Sequence, residues 1–93
     1  MTFRTKPVDV DAFQYDGDFM DSRGRYYVPQ WAVDALDDGI LYFDELNGVP
    51  AELFVKTPNG TAHVALDDYI VRGTDGELYP CKPDLFTQIF ELQ

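Results

Sequence analysis

The chain has 93 residues, a length that holds one domain with a modest core. Its 17 acidic and 7 basic residues give a net charge of −10, and a field of that sign repels nucleic acids and anionic membranes. A single cysteine excludes an intrachain disulfide, and neither a signal peptide nor an apolar run of the ~20 residues that a membrane helix needs is evident. We therefore expect one domain over residues 1–93, in a reducing cytoplasm, without direct binding to nucleic acid or membrane.

The first half of the chain predicts two strands and one helix. Apolar residues alternate with aspartates over residues 8–15, the pattern of a half-buried strand, and residues 25–28 predict a second short strand. Aspartate and glycine between them, over residues 16–24, predict turns. Residues 29–38 predict the helix, because Pro29 suits a first helical position, the apolar residues have helical spacing and Gly39 suits a C-terminal cap.

The second half predicts short antiparallel strands. Residues 40–43 predict a strand, 44–50 a polar loop, and 53–57 with 61–66 a hairpin in which Gly60 has a positive φ. Residues 69–72 and 77–79 predict another hairpin, followed by a proline break at 80–83, one helical turn at 84–86 and an edge strand at 87–92. The sum is an α+β fold with a small, strongly bent antiparallel sheet or barrel of about six to eight short strands and one helix.

The residues with catalytic or metal-binding potential are explained more simply by structure. His63 and Cys81 match no thiol-enzyme signature, His63 is expected on a solvated strand face, and Cys81 suits a small buried position. Asp16, Asp18 and Asp21 superficially resemble a calcium loop, but the central glycine and closing glutamate are missing, and turn chemistry accounts for them. We expect no enzyme activity, no metal and no cofactor.

The few basic residues are the more informative charges. Arg72 and Lys82 end two strands that the turn at residues 75–76 brings together, so both are expected near Tyr79. An arginine, a lysine and an aromatic ring can hold a phosphate and stack a base. Ordinary ion pairing with Glu77, Asp68 or Asp84 is the simpler alternative. The candidate ligand-binding residues are Arg72, Tyr79, Lys82, Lys56 and Trp31.

Distinctive sequence lies at both ends of the chain. Residues 4–15 contain Lys-Pro-Val and Ala-Phe-Gln-Tyr, and residues 68–86 contain Gly-Glu-Leu-Tyr-Pro-Cys-Lys-Pro-Asp followed by Phe86. These segments resemble a group of small uncharacterised proteins encoded by phages and prophages. Where such proteins have glycine and aspartate before the Tyr-Ile strand, this chain has Asp67 and Asp68. The resemblance implies a phage origin, and no catalytic residue follows from it.

From that implied origin we expect a phage-encoded, non-enzymatic binding protein of the host cytoplasm. Its role would be counter-defence, either by sequestering a small nucleotide signal or by blocking a host defence protein. A chain this small encloses a large pocket with difficulty, and its aromatic residues and strand edges favour a homo-oligomer. The alternatives are a structural or assembly protein of the virion, an acidic DNA mimic and a small enzyme.

Overall fold

The computed structural model describes residues 9–90. The elements in chain order are β1 (Asp11–Gln14), α1 (Gln30–Asp37), β2 (Leu41–Leu46), β3 (Val49–Thr57), β4 (Gly60–Val64), β5 (Tyr69–Arg72), β6 (Leu78–Cys81) and α2 (Pro83–Ile89). The strands form two antiparallel sheets, sheet I with the order β1–β5–β6 and sheet II with the order β2–β3–β4. The α+β class is confirmed. The bent sheet or barrel and the single helix are wrong, because within residues 9–90 the strands divide into two sheets of three and form no closed barrel, and two helices are present.

Helix α1 lies within one residue of its predicted bounds, 29–38, at each end. Pro29 is its N-cap and not its first helical residue, and Asp38 is its C-cap, before Gly39 turns into the left-handed region with φ 76°. The Gly39 N–H donates to the Leu36 carbonyl and the Ile40 N–H to the Ala35 carbonyl, at 3.1 and 2.9 Å. These two bonds are those of a Schellman motif, so the glycine ends the helix as predicted.

The loop before α1 uses its aspartates as turn residues. The Asp18 carboxylate accepts the backbone N–H of Phe19 at 2.8 Å, and the Asp21 carboxylate accepts those of Arg23 and Arg25 at 2.9 and 3.0 Å. The strand predicted at residues 25–28 is wrong, since this segment contributes only one isolated bridge, between Met20 and Tyr26.

The polar loop predicted at residues 44–50 is also wrong. Strands β2 and β3 continue into one hairpin, and Asn47 and Gly48 at its tip have φ values of 53° and 81°. Positive φ at both central residues is the requirement of a type I′ turn, which Asn-Gly satisfies better than other pairs. The following hairpin, β3–β4, closes at Thr57 and Gly60, and Gly60 has the predicted positive φ, 118°.

The last third of the chain differs most from the prediction. Strand β6 runs through Pro80, where a break was expected. The Gly73 N–H donates to the Glu77 carbonyl, so residues 73 and 77 form a hydrogen-bonded pair. Hydrogen-bonded and non-hydrogen-bonded pairs alternate along an antiparallel ladder, which makes Pro80 and its partner Ile70 a non-hydrogen-bonded pair. Because β6 is also an edge strand, proline is tolerated there. The edge strand predicted at 87–92 is instead part of helix α2, which begins with Pro83 at its first position. Residues 91–92 lie outside the described residues.

One cluster of buried side chains joins both sheets and α1. It contains Tyr15, Phe19, Ala32, Ala35, Leu41, Leu53, Val55, Val64, Ile70 and Leu78. Because side chains alternate along a strand, the neighbouring residues of both sheets point away from this core. On sheet I that opposite face is covered by α2, where the ring of Phe86 stacks on Tyr69 at 3.8 Å. On sheet II the opposite face carries Tyr42, Phe54 and His63.

Candidate functional site

The structure does not bring Arg72, Tyr79 and Lys82 together as predicted. Arg72 pairs with Leu78 at one end of the β5–β6 ladder, and Lys82 follows β6 at the other end. Tyr79 is the next residue after Leu78, so it points to the opposite face of the sheet from Arg72. The prediction placed the two bases on neighbouring strands near Tyr79, and the register of β5 and β6 instead puts them at opposite ends of the ladder.

Lys82 is engaged in the ion pair that was the simpler alternative. Its Nζ lies 3.1 Å from Oδ2 of Asp68, and the Asp68 side chain is 4% exposed. The same carboxylate oxygen accepts the backbone N–H of Ala65 at 3.0 Å. Lys82 therefore compensates a buried carboxylate, and its own side chain remains 69% exposed.

Tyr79 lies on the face of sheet I opposite to Arg72, with 38% of the residue exposed. Partial burial, followed by the nearby Cys81 and Asp75, raises the pKa of its phenol. The ring is therefore a neutral, polar-tipped surface group on the face of sheet I that α2 also occupies.

Two of the predicted residues, Trp31 and Arg72, do meet. The guanidinium carbon of Arg72 lies 5.3 Å from the centre of the Trp31 ring, within the range of a cation–π contact. The guanidinium also pairs with the carboxylate of Asp11, its partner across the β1–β5 ladder. Sheet I and α1 thus bring together an aromatic ring, a base and an acid from three distant parts of the sequence.

A cleft of about 250 Å³ opens beside this pair, between α1 and sheet I. Its lining residues are Trp31, Asp34, Ala35, Asp38, Ile40, Arg72, Gly76 and Leu78. Four of them, at positions 31, 34, 35 and 38, have the i, i+3, i+4, i+7 spacing that places residues on one helix face. Sequence reasoning missed the two aspartates, although this spacing from Trp31 was enough to find them.

The electrostatics of the cleft are dominated by its carboxylates. Asp34 and Asp38 are one helical turn apart at exposed positions. Within residues 9–90, the one side chain that hydrogen-bonds to either carboxylate is Gln30, whose amide lies 3.0 Å from Asp34. Arg72, the one base in the lining, is already paired with Asp11. The cleft therefore has an excess of negative charge around an indole ring.

Lys56 belongs to a different surface, the outward face of sheet II. Its Nζ lies 5.8 Å from the centre of the Tyr42 ring. Tyr42 stacks on Phe54 with 5.5 Å between centroids, and Phe54 contacts His63 at 5.4 Å. We call Tyr42, Phe54 and His63, which are directly paired across the three strands, the aromatic row. It shares no lining residue with the cleft.

The structure separates the two groups considered for catalysis. His63 lies on the outward face of sheet II, where its Nε2 is 3.0 Å from Oε2 of Glu52. Cys81 lies on sheet I and is buried, which raises the pKa of its thiol, with a smaller contribution from Asp68. Among residues 9–90 no three metal-ligating side chains form a cluster, and no helix there is long and apolar enough to span a membrane.

Comparison with known proteins adds no relative: no family model, curated protein or solved structure matches the chain. The resemblance of residues 4–15 and 68–86 to phage proteins therefore remains a prediction. Residues 4–8 lie outside the described part of the structure. Immediately before the second segment, Asp67 adopts φ 72°, a left-handed conformation that favours glycine, the residue that the resemblance predicts there.

Proposed function

We propose that this chain is a non-enzymatic binding protein whose cleft receives a lysine or arginine side chain from a basic surface of another protein. The observation that carries this proposal is the position of Asp34 and Asp38 beside Trp31 on one face of α1. Carboxylates pair with an ammonium or guanidinium group, and an indole ring attracts the same cation through its electron-rich face. The apolar walls, Ile40 and Leu78, suit the methylene stem of such a side chain.

Charge favours a protein partner over a nucleotide for this cleft. A phosphate entering it would meet two carboxylates, and the nearby Arg72 is already paired with Asp11. The net charge of −10 acts in the same direction, because it accelerates encounter with basic proteins and repels polyanions. Of the two counter-defence roles expected from the sequence, blocking a host protein is therefore the one we propose.

The cost of these acids to the free protein supports a role outside folding. Like charges one turn apart on a helix destabilise it by roughly 0.2–0.5 kcal/mol. Asp37 and Asp38 also lie at the C-terminal end of α1, where a negative charge opposes the helix dipole at a cost of about 0.3–1 kcal/mol at exposed sites. A bound cation removes both penalties, so the unfavourable placement in the free protein becomes favourable in the complex.

The phage origin implied by the terminal segments gives the proposal its biological setting. In that setting the partner is a defence protein of the host, and binding in the host cytoplasm prevents its action. A virion protein would instead assemble into higher-order structures, and a DNA mimic would compete with DNA for a DNA-handling protein.

The proposal is tested by titrating the protein with hexalysine and hexaarginine and following Trp31, the only tryptophan, by fluorescence. We expect saturable binding that is lost when Asp34→Asn and Asp38→Asn are combined, since the change removes both charges and retains size. The matched control combines Glu45→Gln with Glu77→Gln, which removes two charges from exposed positions outside the cleft.

Equal loss of binding in the control would mean that only net charge matters, and it would overturn the assignment of the cleft. The same titration with ADP-ribose and cyclic dinucleotides tests the other role. Tight nucleotide binding that is abolished by Arg72→Gln would replace the proposal with nucleotide sequestration.

A further inference from the structure

We propose that the aromatic row is a contact between two copies of this chain, related by a two-fold axis that runs along the row. This inference is independent of the cleft, which lies between α1 and sheet I. It rests on the arrangement of rings and charges on the outward face of sheet II.

The row is flanked by opposite charges at its two sides. Along β3, Glu52 precedes Phe54 by two residues and Lys56 follows it by two, so all three point outward. Asp44 lies beside Glu52 on β2, and Thr61 lies beside Lys56 on β4. The outward face therefore has an acidic side, an aromatic middle and a basic side.

The orientation of the rings argues against a stacked planar ligand. Tyr42 and Phe54 are nearly parallel, with 19° between their planes, so each ring covers a face of its neighbour. A nucleobase or a sugar stacks on an exposed ring face. In the row the facing sides of Tyr42 and Phe54 are covered by each other, which leaves fewer free ring faces for a stacked ligand. Aromatic side chains of this kind also pack against the side chains of another sheet.

Charge complementarity selects a second copy as the occupant. When two of these faces are packed with a two-fold axis along the row, each strand direction is reversed relative to its partner. Lys56 of one copy then lies opposite Glu52 of the other, twice by symmetry. A two-fold axis along the strands would place Lys56 opposite Lys56 and is excluded by repulsion. Glu52 contacts His63 through Oε2, so a second charge-assisted bond at Oε1 is compatible with that contact.

The size of the face sets the strength of the contact. Three strands about 4.8 Å apart and five residues with a rise of about 3.3 Å give a patch roughly 15 Å across. That patch is smaller than the ~800 Å² per partner of a standard interface. We therefore expect a weak, reversible dimer with a dissociation constant on the order of 10–100 µM.

The test uses complementary charge reversals and sedimentation velocity between about 5 µM and 1 mM. We expect the unchanged chain to dimerise as concentration rises, whereas Lys56→Glu and Glu52→Lys each remain monomeric because like charges then face each other. Mixing the two single variants should restore a dimer, since one copy has two acids at these positions and the other has two bases.

Arg23→Glu is the matched control for Lys56→Glu, because it makes the same change in net charge at an exposed loop position. It should leave dimerisation unchanged. A chain that is monomeric at 1 mM, variants that dimerise as well as the unchanged chain, or a mixture that stays monomeric would each overturn the inference. Far-ultraviolet circular dichroism of both variants confirms that the comparison is made between folded proteins.

Discussion

The ammonium of Lys82 lies 3.1 Å from the carboxylate of Asp68, a buried acid in the turn between the two sheets. The pair is asymmetric, because Asp68 is almost completely buried and Lys82 is largely exposed. The carboxylate also holds the Ala65 N–H. Lys82, which the sequence suggested as an anion ligand, is therefore a structural residue.

This asymmetry predicts unequal effects of mutating the two partners. Asp68→Ala leaves the Ala65 N–H without its acceptor and should lower the free energy of unfolding by about 1–3 kcal/mol. Lys82→Met retains the stem but leaves the Asp68 carboxylate buried without its counter-charge. Because an unpaired buried charge costs more than an unpaired N–H, a larger loss of about 3 kcal/mol is expected. Urea denaturation of the two variants checks the order, and a larger loss for Asp68→Ala would contradict the role given to Lys82.

A second prediction concerns the left-handed residue Asp67. Because its φ of 72° is unfavourable for a residue with a Cβ atom, Asp67→Gly should raise the free energy of unfolding by about 0.5–1 kcal/mol. Gly39→Ala should lower the free energy of unfolding, because Gly39 also has a positive φ, 76°. A Cβ atom added there would meet no other atom, so the change tests backbone strain alone. Thermal unfolding of both variants provides the measurement, and destabilisation by Asp67→Gly would show that the aspartate side chain makes a contribution greater than the strain.

A third prediction concerns Tyr27. Its hydroxyl donates to Asp16 at 2.6 Å, and this bond to the carboxylate raises the pKa of the phenol to about 12. Asp16→Asn should bring the pKa down towards its ordinary value of 10.0, which ultraviolet absorbance of the phenolate would detect. Because the folded-state pKa is the higher one, the contribution of the bond to stability is complete below pH 10 and is lost as the pH rises towards 12. An unchanged titration in Asp16→Asn would contradict the assignment.

A fourth prediction links Cys81 to helix α2. The Cys81 thiol is buried and its pKa is raised by that burial, so it should react slowly with a thiol reagent in the folded protein. Phe86→Ala removes the ring stacked on Tyr69 that holds α2 against sheet I, and labelling of Cys81 should become faster. Leu85→Ala is the control, because that residue is exposed on the same helix. Equal labelling rates in the two variants would show that α2 does not protect the thiol.

Local signals predicted the elements that they determine directly. Pro29 and Gly39 delimit α1 because both act on the backbone of the residue that carries them. Asn47 and Gly48 carry an equally local signal for a hairpin, which the prediction of a polar loop at residues 44–50 did not use. Pro80 could not be interpreted without the strand order, because a proline is tolerated in β6 only at the sheet edge.

The candidate site shows the same limit. Arg72 and Trp31 meet because β5 lies in the centre of sheet I and α1 packs beside it, and neither relation is present in the local sequence. Side-chain alternation places Arg72 and Tyr79 on opposite faces of sheet I. Predicting this from sequence also requires the exact pairing of β5 with β6, which are joined by a five-residue connection. Asp34 and Asp38, by contrast, follow from helical spacing alone.

The Asp68 carboxylate has a consequence for how the protein opens. The carboxylate is bonded to two separate segments. Ala65 lies in the connection from sheet II to sheet I, and Lys82 lies immediately before α2. The Ala65 amide lies outside every strand, yet it can exchange its proton for solvent deuterium only when this junction separates. We expect its exchange to be as slow as that of the β5 amides, so that the two sheets open as one cooperative unit.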